Sequence, residues 1–298
     1  MTPDMTLALK LIYATVLTND LQGEPLWIHV VGPPGCGKTE LLQSTEFCSQ
    51  TVIVSRITQN ALVSGWKAAE DPSLLPKLLG RVFILKDFTE VLSMPAAAKD
   101  DIYSTLRGAY DGYVCKPFGH GVVREYHGTF SMLTGVTHEI YAEQGASLGE
   151  RFLKYHLMRG VGTNVDDLIR NAVRNVGIET DMHTALSGAA KAFLDVRVSS
   201  EDVPALETDL IERIVQLCQV VAMLRANVGK DFQERVIHRP DHEIGTRLAK
   251  QFAKLIVGMA LLRGGNGRPA YVDETDYEVL KRIARDTCIG YNLSLIHI

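Results

Sequence analysis

The sequence predicts an α/β fold: a parallel five-stranded sheet covered by helices, followed by an all-helical region. Three observations predict it. The apolar run Trp27–Val31 (WIHVV) passes directly into a glycine-rich loop and then into helical spacing. Further strand-like runs at 51–54, 81–86, 129–134 and 152–157 alternate with helical segments, and that alternation implies a parallel sheet buried on both faces. From about Gly162 onward only the helical period remains.

Each element has a local reason. Met5, Leu7, Leu9, Leu11, Ile12, Val16 and Leu17 fall at helical spacing, so residues 1–24 form a leading helix, with a turn at Gln22–Pro25. A helix over 37–47 turns Leu41 and Leu42 inward. Residues 55–80 are looser, broken by Pro72 and Pro76. Pro95 opens a helix that runs to about Tyr110, a favoured position for proline. Residues 112–128 place Gly112, Pro117, Gly119, Gly121 and Gly128 around the β-rich runs 113–115 and 122–126, the pattern of a hairpin. Residues 25–162 are thus an α/β core and 163–292 a helical region. The helical region has inward faces at Leu206, Leu210, Ile214, Leu217, Val221 and Leu224, and at Ile244, Leu248, Phe252, Leu255, Met259 and Leu262. Asp273 caps a last helix that buries Tyr277, Leu280 and Ile283. Residues 293–298 (LSLIHI) match no turn or cap signal and resemble a translated sequencing adapter. They are expected to be non-native, the natural chain continuing past about Tyr291.

Composition narrows the class. A content of 46% hydrophobic and 22% charged residues suits a globular chain and argues against disorder. The net charge of -4 supplies no global basic field, so nucleic-acid binding would need a local patch. Cys36, Cys48, Cys115, Cys218 and Cys288 form no C-x-x-C pair, which argues against a zinc site and a disulfide framework. The sequence shows no signal-peptide pattern and no apolar run of spanning length, so a cytoplasmic location is expected.

The chemistry sits first in Gly32-Pro33-Pro34-Gly35-Cys36-Gly37-Lys38-Thr39, which fits G-x-x-x-x-G-K-[ST]. The glycines let backbone N–H groups turn toward phosphate oxygens. The helix that starts here, with Glu40 in its first turn, adds its positive end. Lys38 is suited to the β and γ phosphates and the Thr39 hydroxyl to Mg²⁺, so ATP and Mg²⁺ are the expected ligands. Cys36 is expected to be a small filler of the loop. Asp87 ends the strand 81–86, where a carboxylate can hold Mg²⁺ through its water shell; a turn aspartate is the plainer alternative. Such sites usually follow this aspartate with a glutamate that polarises the attacking water. Here the next residue is Phe88, and Glu90 is the candidate base.

Together these motifs resemble an AAA+ ATPase, over about residues 25–290. The resemblance implies a homo-oligomeric ring and makes the helical region the family's lid. It makes the polar residue after the fourth strand, in LTGVTHE, a sensor 1 group: Thr137, or else Thr134. It makes Arg151, in Gly149-Glu150-Arg151-Phe152, an arginine finger that enters the neighbouring subunit's site and neutralises transition-state charge. It makes Arg247, in Thr246-Arg247-Leu248, a sensor 2 arginine at the nucleotide.

Some ring helicases of this group carry a hairpin before the sensor 1 strand that grips nucleic acid in a central channel. By that resemblance Lys116, Phe118, His120 and Arg124 are candidate DNA contacts, pairing phosphate-binding cations with a stacking aromatic; an ordinary surface hairpin is the other reading. His238, His242, His127 and His138 lack motif spacing, and 230–243 reads as a solvated connection. Three functions follow. The first is an ATP-hydrolysing ring motor on DNA, a helicase or replication-associated ATPase. The second is a protein-remodelling ATPase acting as loader, chaperone or transcription activator. The third is an ATP-binding switch with weak hydrolysis, which the absent glutamate at position 88 favours.

Overall fold

The structure, a computed structural model, describes residues 2–67, 70–141, 148, 151–157, 165–196, 198, 200–226, 243–264 and 270–288. Seven strands are present among them: β1 (Trp27–Val31), β2 (Thr51–Val54), β3 (Val82–Leu85), β4 (Tyr113–Pro117), β5 (Val123–His127), β6 (Ser131–Val136) and β7 (Leu153–His156). Five of these make an all-parallel sheet in the order β2-β3-β6-β1-β7. β4 and β5 pair antiparallel as a separate hairpin.

The helices follow in chain order as α1 (Pro3–Leu17), α2 (Lys38–Gln43), α3 (Leu75–Leu78), α4 (Thr89–Leu92), α5 (Ala96–Tyr110), α6 (Val165–Asn175), α7 (Glu179–Leu194), α8 (Thr208–Arg225), α9 (Thr246–Gly264) and α10 (Glu274–Cys288). α1 starts where Thr2 Oγ1 accepts the Met5 N–H at 3.3 Å and Pro3 takes the first turn. α2 stops four residues short of the expected 47 because the Ser44 and Thr45 hydroxyls bond back to the Leu41 and Leu42 carbonyls, at 2.6 and 3.1 Å. The fourth strand of the sheet runs over 131–136 rather than 129–134, its start set by pairing of Ser131 with Val82. The 230–242 part of the expected connection, with His238 and His242, lies outside the described residues, as do Gly149, Glu150 and the expected non-native tail 293–298.

Alternation along the strands sends side chains to two apolar clusters. Ile28, Val30, Ile84, Leu133, Leu153 and Tyr155 face α1, α2 and the helical region, where Phe252, Leu255 and Leu280 join the same cluster. Trp27, Val31, Phe83, Leu85, Met132 and Val136 face α5, together with Val114 and Tyr126 of the hairpin. One core therefore spans residue 162. Every residue of β1, β3, β6 and β7 is buried, as a sheet covered on both faces requires.

β7 is an edge strand whose outward N–H groups are already bonded. Lys154 N donates to Thr287 Oγ1 at 3.0 Å and His156 N to Asp286 Oδ2 at 2.9 Å, both from α10. Asp286 is fully buried, and that burial raises its pKa.

Candidate functional site

All five sheet strands end on one side, the side where open parallel sheets bind ligands. The loop after β1 is built there. Gly35 and Gly37 hold φ of 75° and 86°, values that side chains rarely adopt. Gly32 N donates to Val136 O at 3.1 Å, which ties the loop to β6. Lys38 Nζ donates to the loop's own carbonyls, Gly32 O at 2.7 Å and Pro33 O at 2.8 Å. Cys36 is buried beneath the loop, and a Cβ on Gly32 would stand 2.9 Å from its sulfur, so the thiol fills that space. Thr39 and Glu40 are exposed, while Leu41 and Leu42 anchor α2 in the core.

A second group of polar residues meets this loop. Asp87 follows β3, and its Oδ1 accepts the Thr89 N–H at 2.8 Å, an Asx turn that leads into α4. Thr89 Oγ1 accepts the Thr137 N–H at 3.2 Å and lies 3.5 Å from Thr137 Oγ1. Asp87, Thr89 and Thr137 thus form a bonded row across the ends of β3 and β6. Gly135 permits the approach. A Cβ there would lie 2.6 Å from Lys86 O, 3.4 Å from Leu42 Cδ1 and 3.7 Å from Lys38 Cβ. Its own carbonyl accepts the Phe88 N–H at 2.8 Å. The lysine-bearing helix and the aspartate-bearing strand end therefore close on one residue that has no side chain. Sequence reasoning misses Thr89 and Gly135. Both leave a signal: glycine inside a strand marks a close backbone approach, and Asp-x-Thr is an Asx-turn pattern.

The neighbouring positions divide by depth. Thr134, the alternative sensor 1 residue, is fully buried and hydrogen-bonded to His29 Nδ1 at 2.5 Å. His29 stacks on Phe152 with ring centroids 3.7 Å apart, and burial holds its pKa well below the ordinary imidazole value. It is a neutral core histidine. Phe88 is also fully buried, 5.1 Å from the His29 ring. The position after Asp87 therefore faces the core, where a glutamate would be desolvated. Glu90 is exposed in the first turn of α4.

Neither Arg247, expected at the chain's own nucleotide, nor Arg151, expected at a neighbouring subunit's, lies at this chain's loop. Both lie at the opposite edge, where the strands begin, 5.4 Å (Arg151) and 5.6 Å (Arg247) from the centroid of the Tyr110 ring. Arg151 is buried. It pairs with the two Asp111 carboxylate oxygens at 2.8 and 3.1 Å and donates to Leu148 O at 2.9 Å. At the edge where the strands end, the helical region presents Arg282 of α10. It donates to His156 O at 3.2 Å and to Asp286 Oδ2 at 3.1 Å. His156 is the register partner of Val31, the residue before Gly32.

The hairpin exists, but its cations are engaged within the chain. Lys116 Nζ contacts both Asp101 oxygens at 2.7 Å. Arg124 donates to Ser64 O at 3.2 Å and to Trp66 O at 3.0 Å, and sits 3.6 Å from Asp71. His120 Nε2 is 2.5 Å from Gly65 O. The hairpin's candidate DNA contacts thus have partners in the chain: Lys116 is paired with Asp101 of α5, while His120 and Arg124 rest on the carbonyls and Asp71 of the segment after β2.

The residues present suit a nucleotide and its metal. The loop backbone is open at Gly35, and Lys38 Nζ holds two loop carbonyls and lies 3.7 Å from the Cys36 sulfur, contacts that phosphate oxygens can replace. Among the described residues no group of three or more His, Cys, Asp or Glu side chains gathers to hold an ion. Mg²⁺ fits this site in its usual manner, through one carboxylate, a hydroxyl and substrate oxygens. No helix among the described residues is long and apolar enough to cross a membrane. No protein-family model matches this chain and no curated protein matches it, so its function has to be argued from its own residues.

Proposed function

We propose that this chain is a Mg²⁺-dependent ATPase of the AAA+ kind that works as a homo-oligomeric ring, with DNA as its polymer substrate. The observation that carries the ATPase reading is the junction at Gly135, which joins the Lys38 loop to the row Asp87–Thr89–Thr137. In this reading the loop N–H groups, Lys38 and the α2 N-terminus bind the phosphates. Thr39 and Asp87 would hold Mg²⁺, which when bound with ATP neutralises charge on the transferring phosphoryl group. Thr137, oriented by Thr89, contacts the γ-phosphate or the attacking water, and Glu90 accepts a proton from that water. Arg151 lies across the sheet from its own loop. It can serve hydrolysis only in a neighbouring subunit's site, after exchanging Asp111 for nucleotide. Arg282, rather than Arg247, is the helical-region cation on the phosphate edge.

One observation favours a second reading. With Phe88 in the core, the chain lacks an acid directly after Asp87, which suits an ATP-binding switch that hydrolyses slowly. Turnover with Mg²⁺, with and without single-stranded DNA, separates the two. The motor reading expects hydrolysis that rises with DNA, is lost in Lys38→Ala and falls in Glu90→Gln with ATP binding retained. Wild-type turnover in a folded Lys38→Ala variant would overturn the phosphate-site assignment. Tight ATP binding with no turnover selects the switch.

A further inference from the structure

We propose that a depression at the edge where the strands begin takes neutral aldehydes with apolar tails, and that Lys254 holds them covalently as an imine. The site lies away from the phosphate loop and does not depend on the reading above.

The depression is open and has a volume of about 850 Å³. Three stretches of chain line it: the turn 20–24 between α1 and β1, one face of α9, and residues 203–206 ahead of α8. On α9, Lys250, Lys254 and Val257 fall at i, i+4 and i+7, so they share that face. Val203, Pro204 and Leu206 complete an apolar wall. An apolar hollow with a few polar groups is the usual form of a small-molecule site. The two lysines sit one turn apart in different settings. Lys250 is 64% exposed, with its Nζ 3.4 Å from the Glu24 carboxylate. Lys254 is part-buried, and its Nζ donates to two backbone carbonyls, Leu21 O at 2.7 Å and Glu24 O at 3.2 Å.

That geometry suits an amine as well as an ammonium. Nζ has four tetrahedral positions: Cε takes one, and the two carbonyls fix two N–H groups. The fourth carries a proton in the charged form and a lone pair in the neutral form, so losing the proton breaks neither bond. Burial lowers the Lys254 pKa to about 8, against the opposing field of Glu24. At pH 7 about one Lys254 in ten then carries the lone pair, against about one in 2,500 for an ordinary lysine. A desolvated amine is a nucleophile for a carbonyl carbon. The lining selects among carbonyl compounds. Asp20 and Glu24 balance Lys250 and Lys254 in charge, which favours a neutral ligand, and the apolar wall favours a hydrocarbon tail. In the step itself the Nζ lone pair attacks the aldehyde carbon and a C–N bond forms. The carbonyl oxygen leaves as water with the two amine hydrogens, and no oxidant or reductant is required.

The test uses the full chain with octanal, kept below the concentration that shifts the unfolding midpoint, and sodium cyanoborohydride to reduce the imine to a stable amine. Peptide mapping by mass spectrometry then reads each lysine separately. At pH 7 and limiting octanal, Lys254 should be alkylated about 10-fold or more faster than Lys250, which serves as the reference within the same chain. The Lys254 rate should rise to half its plateau near pH 8, and the Lys250 rate should still be climbing at pH 10. Glyceraldehyde, which offers the same carbonyl on a polar tail, should show several-fold less preference for Lys254. Leu206→Ser, with an unchanged unfolding midpoint, should slow octanal at Lys254 several-fold and leave glyceraldehyde unaffected. If octanal labels Lys254 no faster than Lys250, or if the Lys254 profile climbs past pH 10, the proposal falls. If glyceraldehyde is as selective as octanal, the apolar-tail assignment is overturned.

Discussion

At the edge where the strands end, Thr39, Glu40, Asp87 and Glu90 are exposed; Asp87 accepts a local bond from the Thr89 N–H, and Glu40 lies 3.5 Å from His183 of α7. At the edge where the strands begin, three cations are engaged within the chain. Arg151 is bound by Asp111 and Leu148, Arg247 shares the Tyr110 ring with it, and Lys254 Nζ donates to Leu21 O at 2.7 Å and Glu24 O at 3.2 Å. The difference teaches where to look for chemistry. A charged side chain within a resembling motif carries a functional role in its own subunit only if the fold leaves it uncommitted and on the right edge. Mutation can break this contrast from either side.

The largest effect is expected at Lys38. Lys38→Ala should cost about 100-fold or more in ATP affinity, measured by titration with a fluorescent ATP analogue, because charge-assisted bonds to phosphate are lost. The fold should persist, since the Lys38 side chain contacts its own loop, at two carbonyls and the Cys36 sulfur. Asp87→Asn comes next. It retains an oxygen for the Thr89 N–H and removes the charge, so Mg²⁺-dependent turnover should fall about 100-fold while the unfolding midpoint stays put. An equal loss of stability would mean that Asp87 serves the turn alone.

Arg151→Ala tests the opposite edge. Urea unfolding should show a loss of about 1–3 kcal/mol, less than for a fully buried pair because Asp111 is half exposed. Mixing Arg151→Ala with Lys38→Ala subunits should recover part of the ATPase activity if Arg151 acts in a neighbour's site. Co-assembly without recovery would confine Arg151 to its own subunit's core.

Lys254 gives the smallest effect. Burial lowers its pKa from 10.5 to about 8. Between these values the folded state binds fewer protons than the unfolded state, so stability rises with pH across that window. The rise should be present in the wild type and absent in Lys254→Met, read as the difference between the two proteins' unfolding midpoints from pH 7 to 10.5. The difference cancels other groups that titrate there.

How much of this was legible depended on whether a residue's partners lie nearby in the chain. The phosphate loop, Asp87, β1 and the hairpin all announce themselves within a few residues, through glycine spacing, apolar runs and turn residues. What the hairpin touches does not. Lys116 meets Asp101 across α5, and Arg124 meets Asp71 from 53 residues away, so both read as free cations until the fold supplies their counter-charges. Arg247 lies beside Tyr110 for a related reason: a helix start fixes its local setting but not which end of the sheet that helix begins on. Trp66 lies in a loose segment with no motif around it, and only the structure shows it turned outward.

The capped edge of β7 has a consequence for how copies of this chain can meet. With the N–H groups of Lys154 and His156 held by Thr287 and Asp286, a neighbour's strand finds no donors there, and the sheet cannot be continued from one molecule into the next along that side. Assembly along that side must then be built from side-chain surfaces, which can slide and tilt, rather than from a shared backbone ladder, which cannot. Truncation before α10 would reverse this, uncovering a row of donors and turning the sheet edge into a template for aggregation.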